Sequence, residues 1–224
     1  MLISIVIKMG IAPFHFWFIR ISTQVSKPIF FLLSITQKIL PIFFIITLHS
    51  LNILIFIFFT AIISISRIIY QSQIITIIAF SSLFSSSWAL SSISFLSAIL
   101  FILIYSSVLL IFLILIRVRG TEDLRQSSSV SLFYIITLTI TILTFIGIPP
   151  TLGFLAKTFI ISEIITYSTI LPISLILISV LFFFVYLKIC LLPLSAKNKT
   201  FFFTKNNNYI FIITLFWFTP LIIL

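Results

Sequence analysis

Acid is what this sequence has least of. Only Glu122, Asp123 and Glu163 are acidic, against thirteen lysines and arginines in 224 residues, a net charge of +10. Glu122 and Asp123 sit among arginines in the polar tract 117–131, a solvated surface cluster, which leaves Glu163 as the single acid of an apolar stretch. Cysteine is nearly absent too: Cys190 alone cannot make an internal disulfide and reads as a small apolar filler at a helix end. With that cysteine and two isolated histidines, His15 and His49, no metal-ligand spacing exists. Phosphate loops, dinucleotide fingerprints and nucleophile triads are missing as well. Nothing here binds a nicotinamide, a flavin or an iron–sulfur cluster.

What fills the chain instead is apolar. Hydrophobic residues make up 62% and charged ones 7%, far outside soluble usage and in runs long enough to span a bilayer. At about 20 residues per span plus short loops, roughly seven to nine helices fit and no soluble domain does. The basic excess does not mark a nucleic-acid binder, because the charges lie singly in short loops without a basic patch or stacking platform. The first residues are neither a signal peptide nor a transit peptide, since Lys8 interrupts the stretch and no A-x-A site or Arg/Ser-rich run follows.

The polar punctuation divides the chain into eight apolar segments near 1–19, 28–49, 51–69, 72–91, 93–116, 130–166, 168–188 and 208–224. The fold class expected is therefore an all-α polytopic membrane protein forming one transmembrane domain over residues 1–224. Segment six is too long for one straight helix and contains Gly147-Ile148-Pro149-Pro150-Thr151-Leu152-Gly153. Two consecutive prolines remove two backbone donors and stop the helix, so two half-helices are expected. Gly10 and Pro13 give the first segment a milder break. Such breaks survive in lipid only where protein or a water-filled cavity receives the freed backbone groups.

If the segments alternate, Arg20, Lys27, Arg67, Arg117, Arg119, Arg125, Lys188, Lys197, Lys199 and Lys205 all fall on one side, ten of the thirteen basic residues. The positive-inside rule makes that side the cytoplasm or the mitochondrial matrix. The other three, Lys8, Lys38 and Lys157, lie inside apolar segments. A lysine at the centre of a spanning helix costs roughly 2.5–3.5 kcal/mol. Such residues default to an ion or proton pathway, and snorkelling to an interface is the plainer alternative. Desolvation disfavours the ammonium form, so small changes in hydration or nearby charge can load or unload the proton.

His15, beside Pro13 and Trp17, suits either a proton relay or a structural bond to a backbone carbonyl. His49, at the end of its segment, reads as interfacial, and Trp17, Trp88 and Trp217 as packing or belt residues. Glu163 follows Lys157 by six residues, a spacing that points the two to different helix faces.

These residues carry a family resemblance. Lys8-Met9-Gly10-Ile11-Ala12-Pro13-Phe14-His15-Phe16-Trp17 resembles the K-x-G-x-A-P-F-H-x-W signature of the antiporter-like membrane-arm subunits of respiratory complex I. Thr36-Gln37-Lys38-Ile39-Leu40-Pro41 resembles the lysine motif of the next helix, closest to the subunit 2 family of NADH dehydrogenase (ubiquinone). Gly147 to Phe154, followed by Lys157, is similar to the broken-helix motif near that family's C-terminus, and Ala79-Phe80-Ser81-Ser82 with Trp88 is similar to its A-Y-S-S-I-x-H-x-G-W helix.

The resemblance covers nearly the whole chain but only the C-terminal portion of the family. It implies about eight transmembrane helices, two of them discontinuous around Pro13 and Pro149-Pro150. It also implies a proton-translocating subunit of the mitochondrial inner membrane whose pathway includes Lys8, Lys38, Lys157 and His15. The breaks would be formed by Gly10, Pro13, Gly147, Pro149, Pro150 and Gly153. Implied partners are other complex I membrane-arm subunits and lipids, with no nucleic acid. NADH, FMN, iron–sulfur clusters and ubiquinone would be bound elsewhere in the complex and not by this chain.

The departures are specific. The family's preceding helices, which carry the glutamate facing the first lysine, have no counterpart here, so a truncated or split subunit completed by a separate polypeptide is expected. Ser85 and Ser87 stand at the histidine and glycine positions of the S-S-I-x-H-x-G-W motif, and Ile75 and Thr76 where basic residues precede it. The acid that follows the first motif's tryptophan is replaced around Ile19-Arg20. An inactive scaffold subunit and a cation/proton antiporter component are the alternative readings.

Overall fold

The computed structural model describes residues 2–48, 52–119, 132–149 and 151–195. His49, Glu122, Asp123, Pro150, Trp217 and the expected segment 208–224 lie outside them. The elements of the described residues are helices: α1 (Leu2–Met9), α2 (Phe16–Gln24), α3 (Lys27–Leu48), α4 (Asn52–Ile68), α5 (Ile74–Ser91), α6 (Phe95–Arg119), α7 (Leu132–Ile146), α8 (Leu152–Ile165) and α9 (Ile170–Ser195). Four spans are long and apolar enough to cross a membrane, at Lys27–Thr47, Ile74–Ser91, Phe95–Arg117 and Ile170–Leu187, and α4 and α7 supply shorter apolar helices. The chain is a multi-pass helical membrane protein.

The expected first segment, 1–19, is two helices, and the second runs past its expected end to Gln24. No helix breaker occurs in 16–24, and a single arginine does not stop a helix; hydropathy alone put the boundary too early. The seventh segment likewise continues beyond 188 to Ser195. The sixth divides as its prolines require, into α7 and α8.

Helix α5 is the axis of the bundle. Every residue from Thr76 to Ser91 is buried, and α2, α3, α4, α6 and α8 all pack against it. A helix apolar on only one stripe could not occupy that place. Its seven buried serines (81, 82, 85, 86, 87, 91 and 92 at the C-cap) are compatible with burial because each hydroxyl donates to the carbonyl three residues back. Outward positions of α3, α4 and α9 expose large apolar side chains such as Leu40, Ile55, Phe59, Leu177 and Phe184, a surface that suits lipid or neighbouring helices rather than water.

Candidate proton pathway

The two helix breaks are built alike. At the end of α1, Gly10 takes φ +68°, and the amide of Ile11 returns to the carbonyl of Val6. At the end of α7, Gly147 takes φ +75°, and the amide of Ile148 returns to Leu143. A left-handed glycine followed by a bond from the next amide to the carbonyl five residues earlier is a helix C-cap. Prolines stand just beyond each cap. In each break a side chain then donates to a carbonyl of the last turn: Trp17 Nε1 to Ile7 at 2.8 Å, and Lys157 Nζ to Ile146 at 2.5 Å.

The second pairing follows from proline chemistry. In a continuous helix Ile146 would accept from the amide of residue 150 and Phe145 from that of residue 149. Both positions are proline and have no N–H. The Ile146 carbonyl is thus orphaned at the negative end of the α7 dipole, and the Lys157 side chain reaches back to it. Gly147 and Gly153 make the approach possible: a Cβ on Gly147 would lie 3.0 Å from Lys157 Cδ, and one on Gly153 would collide with the Thr144 carbonyl.

Lys38 is also buried, at 5% exposure, and Lys157 at 8%. Lys38 Nζ donates to the carbonyl of Ser82 on α5 at 2.6 Å, an oxygen that also accepts from Ser85 Oγ at 2.8 Å. Each ammonium group lies over an aromatic face, Lys38 5.1 Å from the centre of Phe18 and Lys157 5.3 Å from that of Trp88. Such placement stabilises a cation where few polar groups are available.

A small cavity adjoins each lysine. The one at Lys157, about 30 Å³, is lined by Ser81, Ser85, Trp88, Tyr105, Thr144 and Tyr186 among others. The one at Lys38, about 20 Å³, is bounded by Ser34, Ser85, Ser86, Phe101 and Tyr105. Ser85, Phe101 and Tyr105 belong to both walls. At about 10–15 Å³ per water centre, the first has room for about two or three waters and the second for about one or two. Two polar atoms, Trp88 Nε1 and Tyr105 Oη, are buried there without a hydrogen-bond partner. The Ser81, Ser82 and Ser85 hydroxyls stand around Tyr105; each donates to its own helix and keeps oxygen lone pairs that accept from a tyrosine hydroxyl or from water. Buried groups left in this state are ordinarily served by ordered water.

The remaining expected site residues fall elsewhere. Lys8 is on the exposed face of α1 and does not join Lys38 and Lys157 inside the described bundle; α1 packs on α3 with Val6 and Met9 inward, which turns Lys8 out. His15 is buried, at 4% exposure, with Nδ1 3.2 Å from the Pro13 carbonyl oxygen. It also lines a cleft shared with Trp17, Arg20 and Arg67. Gly10 and Pro13 form the first break, and Gly147, Pro149 and Gly153 the second, while Pro150 is outside the described residues.

Glu163 turns away from Lys157, as its spacing demanded. It caps α6 instead, accepting from the amides of Ile93 and Ser94 at 3.1 Å each and from the hydroxyls of Ser94 at 2.5 Å and Ser97 at 2.8 Å. An anion at a helix N-terminus meets free amides and the positive dipole end. Sequence reasoning missed this role and missed Tyr105. The available signals were the serines at 94 and 97 before an apolar run, and the i, i+4 pair Ser81 and Ser85 inside a spanning helix.

Two buried lysines, Lys38 on the continuous helix α3 and Lys157 just beyond a break made by glycine and proline, define the class: a polytopic membrane protein of the kind that carries ions or protons. The chain belongs to the NADH:quinone oxidoreductase/Mrp antiporter transmembrane family, which matches residues 1–185. It is similar to NADH-ubiquinone oxidoreductase chain 2 of Artemia franciscana, 33% identical over 202 residues that make up 88% of this chain and 68% of that protein. The chain spans 57% to 68% of the length of curated relatives of this kind. Its fold is that of a chain in an archaeal membrane-bound sulfane sulfur reductase complex (TM-score 0.85, 13% identity, covering 99% of this chain and 51% of that one). A chain of respiratory complex I from Thermus thermophilus, in a structure with bound aureothin, is also similar (TM-score 0.78, 14% identity, covering 99% and 55%).

Proposed function

We propose that this chain is a proton-translocating membrane-arm subunit of NADH:ubiquinone oxidoreductase in the mitochondrial inner membrane. The observation that carries the reading is the pair of buried lysines, Lys38 and Lys157, beside two small cavities with a common wall at Ser85 and Tyr105. Lys157 holds a proton against the α7 carbonyl end and Lys38 holds one against α5. Waters satisfying Tyr105 Oη and Trp88 Nε1 link them, and the tyrosine hydroxyl passes a proton by accepting one hydrogen bond and donating another. Each of the pairs α1–α2 and α7–α8 acts as one discontinuous span, giving about eight spans with the 208–224 segment.

In this reading the chain performs no redox step. NADH, FMN, iron–sulfur clusters and ubiquinone are handled by other subunits, and the chain's partners are the neighbouring membrane-arm subunits. The exposed face that carries Lys8 is where a neighbouring part of the membrane arm supplies a carboxylate for that lysine.

The test is Lys157→Ala in the assembled complex, read by proton translocation per electron and by retention of the subunit. A lowered ratio with the complex intact supports the proposal, and an unchanged ratio overturns it. A scaffold role with an inactive channel is the second reading, favoured by Ser85 and Ser87 at the relay positions. It predicts full pumping in Lys157→Ala and loss of neighbouring subunits when the bundle is disrupted.

A further inference from the structure

A second polar recess lies away from the lysines, between α2, the end of α4 and α5. It measures about 820 Å³ and is bounded by His15, Phe16, Trp17, Ile19, Arg20, Ile21, Thr23, Arg67, Gln71 and Phe80. Arg20 and Arg67, far apart in sequence, share this recess, so the end of α4 and the middle of α2 lie at the same side of the bundle. That is the side on which the positive-inside rule gathers the loop charges. Both arginines are exposed, while His15 forms the buried floor.

Among the described residues no acid lines this recess. Glu163 caps the far end of α6, and α5, about 27 Å long at 1.5 Å per residue, separates that end from this one. Beside the two guanidinium groups, Phe16 stands 67% exposed and Ile21 37% exposed, an apolar flank that suits an acyl chain and not water. Thr23 does not compete for the ligand as a donor, since its hydroxyl donates to the Arg20 carbonyl.

We propose that this recess is a binding site for the headgroup of an anionic phospholipid from the positively charged leaflet. A phosphodiester matches the fork of donors on a guanidinium. Two arginines at the membrane surface offer paired charge to one headgroup, and basic recesses between helices on this leaflet are suited to anionic lipid. The phosphate sits between Arg20 and Arg67, with Gln71 at the rim, and the first part of an acyl chain runs along Phe16 and Ile21. The assignment is independent of proton transport, because it uses neither Lys38 nor Lys157.

The test measures phosphatidylglycerol retained per chain. The protein, purified in the assembly it holds in its membrane, is exchanged into phosphatidylcholine nanodiscs containing a small fraction of phosphatidylglycerol, and bound lipid is counted by mass spectrometry. In R20Q/R67Q, retention affinity should fall by about thirtyfold, roughly fivefold for each surface charge removed. R20K/R67K should keep most of the binding, and R117Q, a basic residue outside the recess, should bind as the unaltered chain does. If the double variant does not assemble, R20Q and R67Q are read singly, each with about a fivefold loss. Equal losses in R117Q and R20Q/R67Q would mean diffuse surface charge and would overturn the site. Full displacement of the lipid by inorganic phosphate would make it a free-phosphate site and overturn it as well.

Discussion

Lys157 Nζ donates to the carbonyl of Ile146, the last residue of α7, across the break that Gly147 and the two prolines make. The lysine thus has two roles at once. It closes an orphaned helix end, and it carries the proton-exchanging group of the candidate pathway. The two are separable by substitution. Lys157→Met removes the donor and leaves the carbonyl buried, at a cost of about 1–3 kcal/mol, while Lys157→Arg keeps a donor that does not deprotonate. Stability in detergent should therefore fall in the methionine variant and hold in the arginine one, with proton translocation impaired in both. Wild-type translocation in Lys157→Arg would show that the lysine is only a helix cap.

Tyr105 should act through its hydroxyl alone. The ring makes an edge contact with Phe145 at 5.6 Å that phenylalanine reproduces, so Tyr105→Phe should leave the fold and thermal stability within about 0.5 kcal/mol of wild type. The coupled proton flux should drop several-fold nonetheless. A variant with unchanged flux would remove Tyr105 from the pathway.

Gly153 permits the closest approach in the second break. An added methyl group collides with the Thr144 backbone carbonyl, which cannot move without shifting α7. Gly153→Ala should cost about 1–3 kcal/mol and lower the melting temperature by roughly 2–4 °C for each kcal/mol. Gly147→Ala should be damaging by a second route, because its φ of +75° strains any L side chain. Circular dichroism melts of the purified variants check both.

The Glu163 cap predicts a graded series. Glu163→Gln keeps one acceptor oxygen for the amides of Ile93 and Ser94 and should cost about 1 kcal/mol, whereas Glu163→Ala loses every bond and should cost about 2 kcal/mol or more. Hydrogen exchange at Ile93 and Ser94 should rise in the same order. Because Glu163 and Lys157 face different partners, neither variant should change the proton ratio measured with the assembly intact.

Much of this arrangement was legible in the residues, for identifiable reasons. Gly147 and the following prolines dictated the α7–α8 break because proline has no amide hydrogen, and that local chemistry acts whatever the surroundings. The count of loop arginines put Arg20 and Arg67 on one side, and the recess they share agrees. The orientation of Lys8 had a local signal that the buried-lysine reading passed over: Ser4 lies one turn earlier on the same face, and both are exposed while Val6 and Met9 are buried. Tyr105 and the serines of α5 were hidden. Their hydroxyls look like ordinary spanning-helix residues until the packing of α3, α5, α6 and α8 brings them beside two lysines.

Lys38 offers the most direct test of the central claim. Its acceptor, the Ser82 carbonyl, is already bonded by Ser85 Oγ, so substitution orphans no helix end and a loss of function is not a loss of cap. The measurement is the number of protons translocated per electron by the assembled complex in sealed vesicles, compared between the unaltered chain and Lys38→Met at equal rates of electron transfer. Conduction through the lysine line requires a lower ratio in the variant. An unchanged ratio, with the subunit in place, would contradict it.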